Sequence, residues 1–367
     1  MNLKYYQKII NQNLGKFFDG LKLFESKNPL IKEQLKLLRK FCLLPGKRLR
    51  PILAIVAFKA VSSYSIGSGQ TRFLKDIFLP ILSLELYHNY TLIHDDIYDE
   101  DIVRRGKPTC YSLLQKWFKK KYKKIPYSGN LYKNSQSRFG VVSGFIGGKI
   151  LRTLVNLPIF QSNISFRKKI EILKLFEELD ISDNFGQAVD LFFEKENKIT
   201  QDDYFEMVKL KTGGLFKTSV ELGAILDNAT HFQRRALKNY AKNLAYVFQI
   251  KDDLLDLSIG GEKGRGIGSD IKKGKKTLLL IFSLKKAGLK DKELIFKIIG
   301  KEEASVKEIE TIIKLYHRLG AVKFCQNIAR QKMEKALFWL NKLKSETNQE
   351  SYRFLKGLIF FVFERKK

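Results

Sequence analysis

The sequence predicts an all-α protein, a single-domain bundle of more than ten helices. Apolar residues recur at mixed spacings of three and four, the period of a helix with one buried face. Alternating strand patterns bounded by tight turns are nearly absent. Only 7 prolines occur in 367 residues, and because proline removes a helix donor, long helices stay unbroken. Hydrophobic residues make up 44% of the chain, enough for a sizeable core.

Two stretches show the helical period most clearly. The first lies between residues 170 and 179 and the second between residues 309 and 319, where Gly320 follows as a C-cap. The apolar residues that set the period are Ile170, Leu173, Leu175, Phe176 and Leu179, then Ile309, Ile312, Ile313, Tyr316 and Leu319. Each set predicts a helix with one buried face.

Three segments break the helical pattern. Residues 43–51 form a short basic turn, residues 116–137 are basic and then polar, and residues 258–276 are rich in glycine and lysine. None is long enough to separate domains. We therefore expect one domain over residues 1–367, with a surface insertion at residues 116–137.

The charge is strongly unbalanced, with 68 Lys and Arg against 38 Asp and Glu, a formal net charge of +30. Such a balance predicts attraction to polyanions such as nucleic acid, an acidic membrane surface or a phosphorylated substrate. The lysines are scattered along the chain rather than confined to one tail. A solvated, lysine-coated surface is the simpler interpretation.

Cysteine usage favours a reducing cytoplasm. The three cysteines, Cys42, Cys110 and Cys325, are far apart and form no CxxC pair. The first residues lack a continuous apolar stretch and a small-residue cleavage site, and no window of about 20 residues is free of charge. We expect neither a signal peptide nor a transmembrane span.

Two acidic clusters have the same form, DDxxD, at residues 95–99 and 252–256. Each follows an apolar helical run, LSLELYHNYTLI or NLAYVFQI. On a helix, residues i and i+4 share one face, so each cluster pairs two like charges. A hard divalent cation relieves that repulsion, since Mg²⁺ combines one or two carboxylates with waters and substrate phosphates. Two clusters that face each other would hold several ions bridged by a diphosphate.

A third acidic segment, DDYFE at residues 202–206, has nearly the same spacing but a different explanation. Thr200 and Asp203 have the spacing of an N-cap and its capping-box partner. Acidic residues in a first helical turn also suit the helix dipole. We therefore assign this cluster to structure.

Basic segments supply candidate partners for a diphosphate, whose oxygens arginine binds in bidentate fashion. They are GKRLRP at residues 46–51, RRGKPT at 104–109 and KTGG at 211–214, where two glycines interrupt a helix. The order GxxxxGK[ST] is absent from the glycine-rich segment, so we exclude a P-loop. The four histidines lack zinc spacing.

The chain resembles the all-trans isoprenyl diphosphate synthases, the polyprenyl synthetase family, in six segments that occur in the family's order: GKRLRP, HNYTLIHDDIYDEDIVRRGKPT, GQAVD, KTGGLF, FQIKDDLLD and GSDIKKGKKT. The resemblance implies an isoprenoid synthase fold, all-α around a central catalytic cavity, usually as a homodimer. It implies a trans-prenyltransferase that condenses isopentenyl diphosphate with an allylic diphosphate after Mg²⁺-dependent ionisation.

The same resemblance assigns the site residues. About three Mg²⁺ ions are expected on Asp95, Asp96, Asp99, Asp252, Asp253 and Asp256. Contacts to the allylic diphosphate are expected from Arg104, Lys211, Thr212, Gln249 and Lys275, with Lys211 counted as catalytic beside the aspartates. Contacts to isopentenyl diphosphate are expected from Lys47, Arg50, His88 and Arg105. Lys149 departs from the family, which usually has aspartate there.

Product length is predicted from helix geometry. Tyr90 and Thr91 lie one turn before Asp95 on nearly the same face, so a growing tail anchored at the metals would meet Tyr90. An aromatic residue there resembles the floor of family members that make short products. The first cluster also lacks the two-residue insertion of many bacterial farnesyl synthases, which resembles the archaeal geranylgeranyl type. We expect a C15–C20 product, with C20 favoured.

Other functions fit less well. A terpene cyclase also uses DDxxD, but a second DDxxD and a second set of basic segments disfavour it. A non-catalytic regulatory subunit of a synthase heteromer would lose aspartates, whereas all six are present. A basic helical protein that binds nucleic acid or a membrane surface would show no magnesium-dependent turnover. We expect no nucleic acid partner, and a weak attraction to anionic membrane is compatible with catalysis.

Overall fold

The computed structural model describes residues 3–21, 26–62, 70–104, 106–122, 125–196, 198–258 and 267–365, with the side chains of residues 70–76 excluded. Within these ranges the chain is helical almost throughout, with more than ten α-helices and one two-stranded hairpin. The predicted all-α class is confirmed. Part of the 258–276 segment, residues 259–266, lies outside the described residues.

The first half of the chain forms eight α-helices and the hairpin in the described residues. In chain order these are α1 Leu3–Asp19, α2 Pro29–Cys42, α3 Leu49–Val61, α4 Gln70–Tyr98, β1 Val103–Arg104, β2 Lys107–Pro108, α5 Cys110–Lys121, α6 Ser135–Leu154, α7 Asn156–Gln161 and α8 Phe166–Lys195.

The second half contains α-helices and one π-helical turn. In chain order these are α9 Gln201–Val208, the π turn Lys209–Gly213, α10 Gly214–Leu226, α11 His231–Leu255, α12 Ser269–Lys273, α13 Leu278–Lys286, α14 Leu289–Ile298, α15 Val306–Arg318, α16 Ala321–Lys342 and α17 Gln349–Glu364.

Backbone proximity divides the chain into two compact units. The amino-terminal unit consists of Asn2–Ile55 and Tyr64–Leu173, and the carboxy-terminal unit of Val56–Ser63 and Lys174–Lys367. Each is described separately below, and the expectation of a single domain stays a prediction.

In the amino-terminal unit, α6 packs against both α4 and α5. Small residues on α6 make this possible, because a Cβ at Gly140 would lie 2.8 Å from Gln115 and a Cβ at Gly144 would lie 2.9 Å from Ile97 and Tyr111. One turn further on, a Cβ at Gly148 would overlap the His94 ring. Gly144 and Gly148 thus let the end of α4 approach α6, and Gly140 does the same for α5.

In the carboxy-terminal unit, α11 packs along α16 and also against α10. Nearly every residue of α10 is buried, including Glu221. Its carboxylate lies 3.2 Å from Arg234 and 3.4 Å from Lys238 on α11, and 3.7 Å from Lys217 on its own helix. The buried negative charge of Glu221 is thus compensated by three nearby cations.

The two periodic stretches are helical as predicted. In α15, Ile309, Ile312, Leu315 and Tyr316 are buried, and Gly320 follows in the left-handed region at φ 79°. In α8, Leu175, Phe176 and Leu179 are buried, but Ile170 is exposed. The period was therefore right, and one of its apolar positions lies outside the core.

The segment at residues 116–137 differs from the expected loop. Its first residues, 116–121, form the last turns of α5, and its last residues, 135–137, begin α6. Between them, residues 125–134 have no regular structure and are mostly exposed, and residues 123 and 124 lie outside the described residues. Lysine has a high helix propensity, so the lysine-rich start of this segment continues α5 instead of forming a loop.

In the described part of the chain, no helix combines the length and the apolar character needed to cross a bilayer.

Candidate active site

The first acidic cluster ends the longest helix of the amino-terminal unit. Asp95 and Asp96 lie in the last turn of α4, and the amide of Asp99 donates to the Asp95 carbonyl at 2.8 Å, continuing the helical pattern. Asp95 and Asp99 are half-buried, whereas Asp96 is buried. Because the carboxyl end of a helix carries partial negative charge, three carboxylates there need a cation.

Asp96 already has a cationic partner. Arg104 lies on strand β1 of the hairpin, which reverses through Gly106 at φ 71°, and its Nε is ion-paired with Asp96 Oδ1. The sequence placed Arg104 at an allylic diphosphate, and the structure places it on a carboxylate of the first cluster. The next predicted residue, Arg105, lies outside the described residues.

Aromatic side chains pack around Tyr90 on α4, just before the first acidic cluster. The Tyr90 ring packs edge-on against Tyr87 at 5.3 Å and against His94 at 4.8 Å, and His94 packs on Phe145 of α6 at 5.0 Å. Tyr90 is buried. Thr91 is half-buried, and its hydroxyl donates to the His88 carbonyl at 2.9 Å. The proposed floor residue is thus held rigidly by its neighbours.

Two residues predicted to bind isopentenyl diphosphate are adjacent in the amino-terminal unit. Arg50 Nη1 lies 3.4 Å from His88 Nε2. Lys47 is half-buried, and its carbonyl accepts a hydrogen bond from Gln7. The structure therefore brings Arg50 and His88 together, and their role in binding isopentenyl diphosphate stays a prediction.

Arg48, between the two predicted cations, was not singled out from the sequence. It is buried, has a positive φ of 51°, and is ion-paired with the buried Glu85. Its guanidinium also donates to Asn11 at 2.9 Å and to two carbonyls of the preceding turn at 2.8 Å. Such a saturated guanidinium fixes the turn that carries Lys47 and Arg50.

The second cluster ends α11 in the carboxy-terminal unit. Asp252 and Asp253 are in its last turn, and Asp256 is the C-cap. Asp256 Oδ2 accepts from the backbone amide of Asp270, and its carbonyl accepts from that of Gly268, both at 2.9 Å. As at the end of α4, carboxylates occupy the negative end of a helix.

A hydrogen-bonded chain links two predicted residues, Thr212 and Gln249, to the second cluster. Thr212 Oγ1 donates to Gln249 Oε1 at 2.9 Å, and Gln249 Nε2 donates to Asp253 Oδ1 at 2.9 Å. The buried Tyr204 hydroxyl donates to Asp253 Oδ2 at 2.7 Å. Tyr204 was missed because it lies inside the third acidic segment, which was assigned to structure.

Two predicted lysines share one buried carboxylate. Asp190 Oδ2 accepts from Lys211 Nζ at 2.7 Å and from Lys275 Nζ at 3.0 Å, and Lys275 also pairs with Glu194 at 2.7 Å. Burial acts to raise the pKa of Asp190, but the two ammonium groups hold it below its usual range. Asp190 belongs to the segment GQAVD, but no role was predicted for it.

The close approach of α8 to the π turn makes this arrangement possible. A Cβ at Gly186 would lie 2.5 Å from the backbone nitrogen of Lys211. The predicted interruption at residues 211–214 is therefore a π turn followed directly by α10. Such turns are frequent at functional sites because they re-aim side chains within a continuous helix.

The charges of Asp252 and Asp253 are strongly affected by their surroundings. Asp252 is ion-paired with Arg365 at 2.7 Å. Burial, followed by the charge of Asp270, raises the pKa of Asp253 to about 8. Asp253, Asp256, Asp270 and Lys275 line one small pocket of this unit.

These donor sets fit Mg²⁺. Both clusters offer hard carboxylate oxygens at helix carboxyl ends, and the raised pKa of Asp253 shows a charge that a cation would stabilise. In the described residues, no three His, Cys, Asp or Glu side chains already form a ligand set.

The two clusters lie in different units, so the expectation that they face each other stays a prediction. The structural assignment of the third segment is supported, because Thr200 and Asp203 form a reciprocal capping box at the start of α9. Lys149 is exposed on α6.

Comparison with known proteins gives a family. The polyprenyl synthetase family model matches residues 32–316. The short chain isoprenyl diphosphate synthase of Methanocaldococcus jannaschii is 33% identical over 74% of this chain and 72% of its own. The geranylgeranyl diphosphate synthase of Saccharolobus solfataricus is 31% identical over 88% of this chain and 87% of its own.

Solved structures agree. The geranylgeranyl pyrophosphate synthetase of Pyrococcus horikoshii has a TM-score of 0.79 at 28% identity, covering 99% of this chain and 97% of its own. A geranylgeranyl pyrophosphate synthase of Corynebacterium glutamicum, solved with isoprenyl diphosphate and magnesium, has a TM-score of 0.88 over both whole chains. At 22% identity the latter shows the fold alone.

An all-α fold with aspartate clusters at the ends of two long helices, matched over most of its length by prenyl synthases, defines a trans-prenyltransferase. The chain belongs to the polyprenyl synthetase family.

Proposed function

We propose that the chain condenses isopentenyl diphosphate with an allylic diphosphate to give a short all-trans prenyl diphosphate of C15–C20, with C20 favoured. The observation that supports it best is in the carboxy-terminal unit. There Lys211 and Lys275 meet at Asp190, while Thr212 and Gln249 are hydrogen-bonded to Asp253. Cations, donors and carboxylates suited to one diphosphate thus share one unit.

The names of the relatives support a prenyl diphosphate product of limited length. Relatives at 31% and 30% identity, from Saccharolobus solfataricus and Methanosarcina mazei, are geranylgeranyl diphosphate synthases. A geranylfarnesyl diphosphate synthase of Aeropyrum pernix is 28% identical. The C20 product is therefore a proposal within a family that makes several lengths.

The proposed cofactor is Mg²⁺, about three ions, on Asp95, Asp96, Asp99, Asp252, Asp253 and Asp256. When bound there, Mg²⁺ would neutralise the diphosphate and favour its departure. In the structure Arg104 is ion-paired with Asp96, and Arg365 with Asp252. Metal binding requires these carboxylates in their ionised form.

Lys211 and Lys275 would bind the allylic diphosphate and stabilise the charge that develops as its C–O bond breaks. Arg50 and His88, with Lys47 and Arg105, would hold isopentenyl diphosphate. Its double bond then attacks the allylic cation, and a proton lost to the departing diphosphate restores an alkene. The side chains thus position substrates and exclude water, and no side-chain nucleophile is needed.

The test is incubation with isopentenyl diphosphate, Mg²⁺ and each of the C5, C10 and C15 allylic diphosphates, with products read by mass spectrometry. Asp95→Asn should lower turnover at least about 100-fold, because it removes a carboxylate from the metal site. Asp202→Asn in the third acidic segment is the matched control and should keep activity. No product from any primer, or equal activity in both variants, would contradict the proposal.

Product length is tested at the buried Tyr90. Tyr90→Ala should shift products beyond C20, because the ring that would stop the tail is removed. Tyr87→Ala, which removes the neighbouring ring of the same aromatic contact, is the control and should leave the length unchanged. An unchanged distribution in Tyr90→Ala would refute the floor assignment.

We further propose a homodimer in the cytoplasm. Exposed apolar residues on α8, Ile181, Phe185 and Phe192, lie on one face of that helix at spacings of four and seven. The three cysteines are free and buried, which suits a reducing compartment. Light scattering of the purified chain and fractionation of the source cells test these two points.

A further inference from the structure

The positive charge of the chain is not evenly spread. Residues 102–170 contain 16 Lys and Arg and no Asp or Glu, so 69 residues carry +16 of the net +30. Asp101 and Glu171 bound this acid-free stretch, which lies in the amino-terminal unit. A fifth of the chain therefore presents a field of one sign.

The end of α5 concentrates that charge at the surface. Lys119, Lys120 and Lys121 are consecutive and exposed in its last turn. The Lys121 ammonium lies 5.3 Å from the centre of the Trp117 ring and 5.6 Å from that of Tyr122. Lys121 thus lies beside two aromatic side chains.

Apolar side chains are exposed in the residues that follow these lysines in the chain. Tyr122 and Ile125 are exposed, and Leu131 is 82% exposed. We call these three residues and Lys119, Lys120 and Lys121 the lysine–apolar surface. Leu131 leaves most of its hydrophobic area in water and, with Tyr122 and Ile125, adds apolar side chains to a lysine-rich segment.

The chemistry of this surface matches an anionic lipid bilayer. Interfacial segments combine lysines, which approach the lipid phosphates, with aromatic and aliphatic side chains that enter the headgroup region. Nucleic acid would instead use free aromatic faces for base stacking. Here Trp117 and Phe118 stack on Phe139, and the most exposed apolar residue, Leu131, is aliphatic.

We propose that the lysine–apolar surface docks the protein on membranes that contain anionic phospholipid. The proposal goes beyond the prenyl transfer reaction and does not depend on it, because binding to vesicles is measured without substrate.

The experiment is co-sedimentation of the full chain with phosphatidylcholine vesicles, with or without phosphatidylglycerol. The chain should bind only the anionic vesicles, and added salt should release it. Changing Lys119, Lys120 and Lys121 together to Gln should weaken binding about 100-fold, at about five-fold for each charge near the surface. The control changes Lys314, Lys323 and Lys344, exposed lysines of the other unit, to Gln and should bind like the unaltered chain.

The apolar part is tested by Leu131→Ser, which should weaken binding about ten-fold at constant charge. Because all these side chains are exposed, thermal unfolding should be unchanged. Equal vesicle binding by both lysine variants would overturn the proposal. So would binding of single-stranded RNA through the same lysines, with no binding to vesicles and no effect of Leu131→Ser.

Discussion

Asp190→Asn tests the connection between the two diphosphate-binding lysines. The change keeps the size of the side chain but removes the charge that Lys211 and Lys275 share. The carboxylate is buried, with Lys211 Nζ at 2.7 Å and Lys275 Nζ at 3.0 Å. Lys211 would lose its ion pair, and Lys275 would keep only the pair with Glu194.

The expected loss of unfolding free energy follows from the distances between Asp190 and the two lysines and from the exposure of those lysines. At an effective dielectric constant of about 20, each ammonium attracts the carboxylate by about 6 kcal/mol, most of which the burial of charge offsets. Removing one partner of a buried pair costs about 3–5 kcal/mol. Lys211 keeps 24% exposure and Lys275 keeps Glu194 at 2.7 Å. We therefore expect a loss of about 2–3 kcal/mol in unfolding free energy.

The loss should depend on pH in one direction. Because the pKa of Asp190 is lowered in the folded chain, its contribution is complete above the unfolded pKa of about 3.9 and is lost as the pH falls through the folded value. The difference between the unaltered chain and Asp190→Asn should therefore be full at neutral pH and shrink in acid.

Urea unfolding at several pH values measures both effects. The kcat/KM for the allylic diphosphate should also fall, by up to about 100-fold, because the lysines are no longer held in place. Asp180→Asn, on a more exposed part of α8, is the matched control. A stability difference below about 0.5 kcal/mol at neutral pH, or one that grows in acid, would refute the argument.

Three further substitutions test the packing around the site. Gly186→Ala should destabilise the fold by about 1–3 kcal/mol in thermal unfolding, because its Cβ would meet the backbone of the π turn. The control is Gly357→Ala, which has nothing within 4 Å of its Cβ and should be neutral or stabilising. Arg48→Gln should cost about 3–5 kcal/mol in urea unfolding by leaving Glu85 buried without its cation, and a second change of Glu85 to Gln should recover part of it; a loss below about 1 kcal/mol would contradict this. Thr200→Ala should cost about 1 kcal/mol through the lost N-cap and should leave turnover unchanged, while a large loss of activity would reject the structural assignment of that segment.

Local features were predictable because they depend on neighbouring residues. The period of apolar residues predicted α15, and the spacing of Thr200 and Asp203 predicted the capping box that the structure contains. The two DDxxD clusters were predicted at the ends of apolar helical runs, and both lie there. These inferences use contacts within one or two helical turns.

Partners distant in sequence were not predictable. The i, i+4 rule places two aspartates on one face but does not tell which carboxylate is buried, so the pairing of Asp96 with Arg104 was missed. The bond from Tyr204 to Asp253 spans 49 residues, and the pair of Arg365 with Asp252 spans 113. Asp190 resembles any acidic residue of a helix until folding brings the two lysines to it.

The π turn before α10 has a consequence for how that helix is oriented. One residue turns a helix by about 100°, so removing one residue from the turn would rotate all of α10 about its axis. A helix buried around nearly its whole circumference has no apolar stripe to resist such a rotation. Glu221 would resist it, because the rotation would move its carboxylate away from Arg234 and Lys238. Besides core packing, the ion pairs of Glu221 therefore help to set the rotational position of a helix whose first turn follows Lys211 and Thr212.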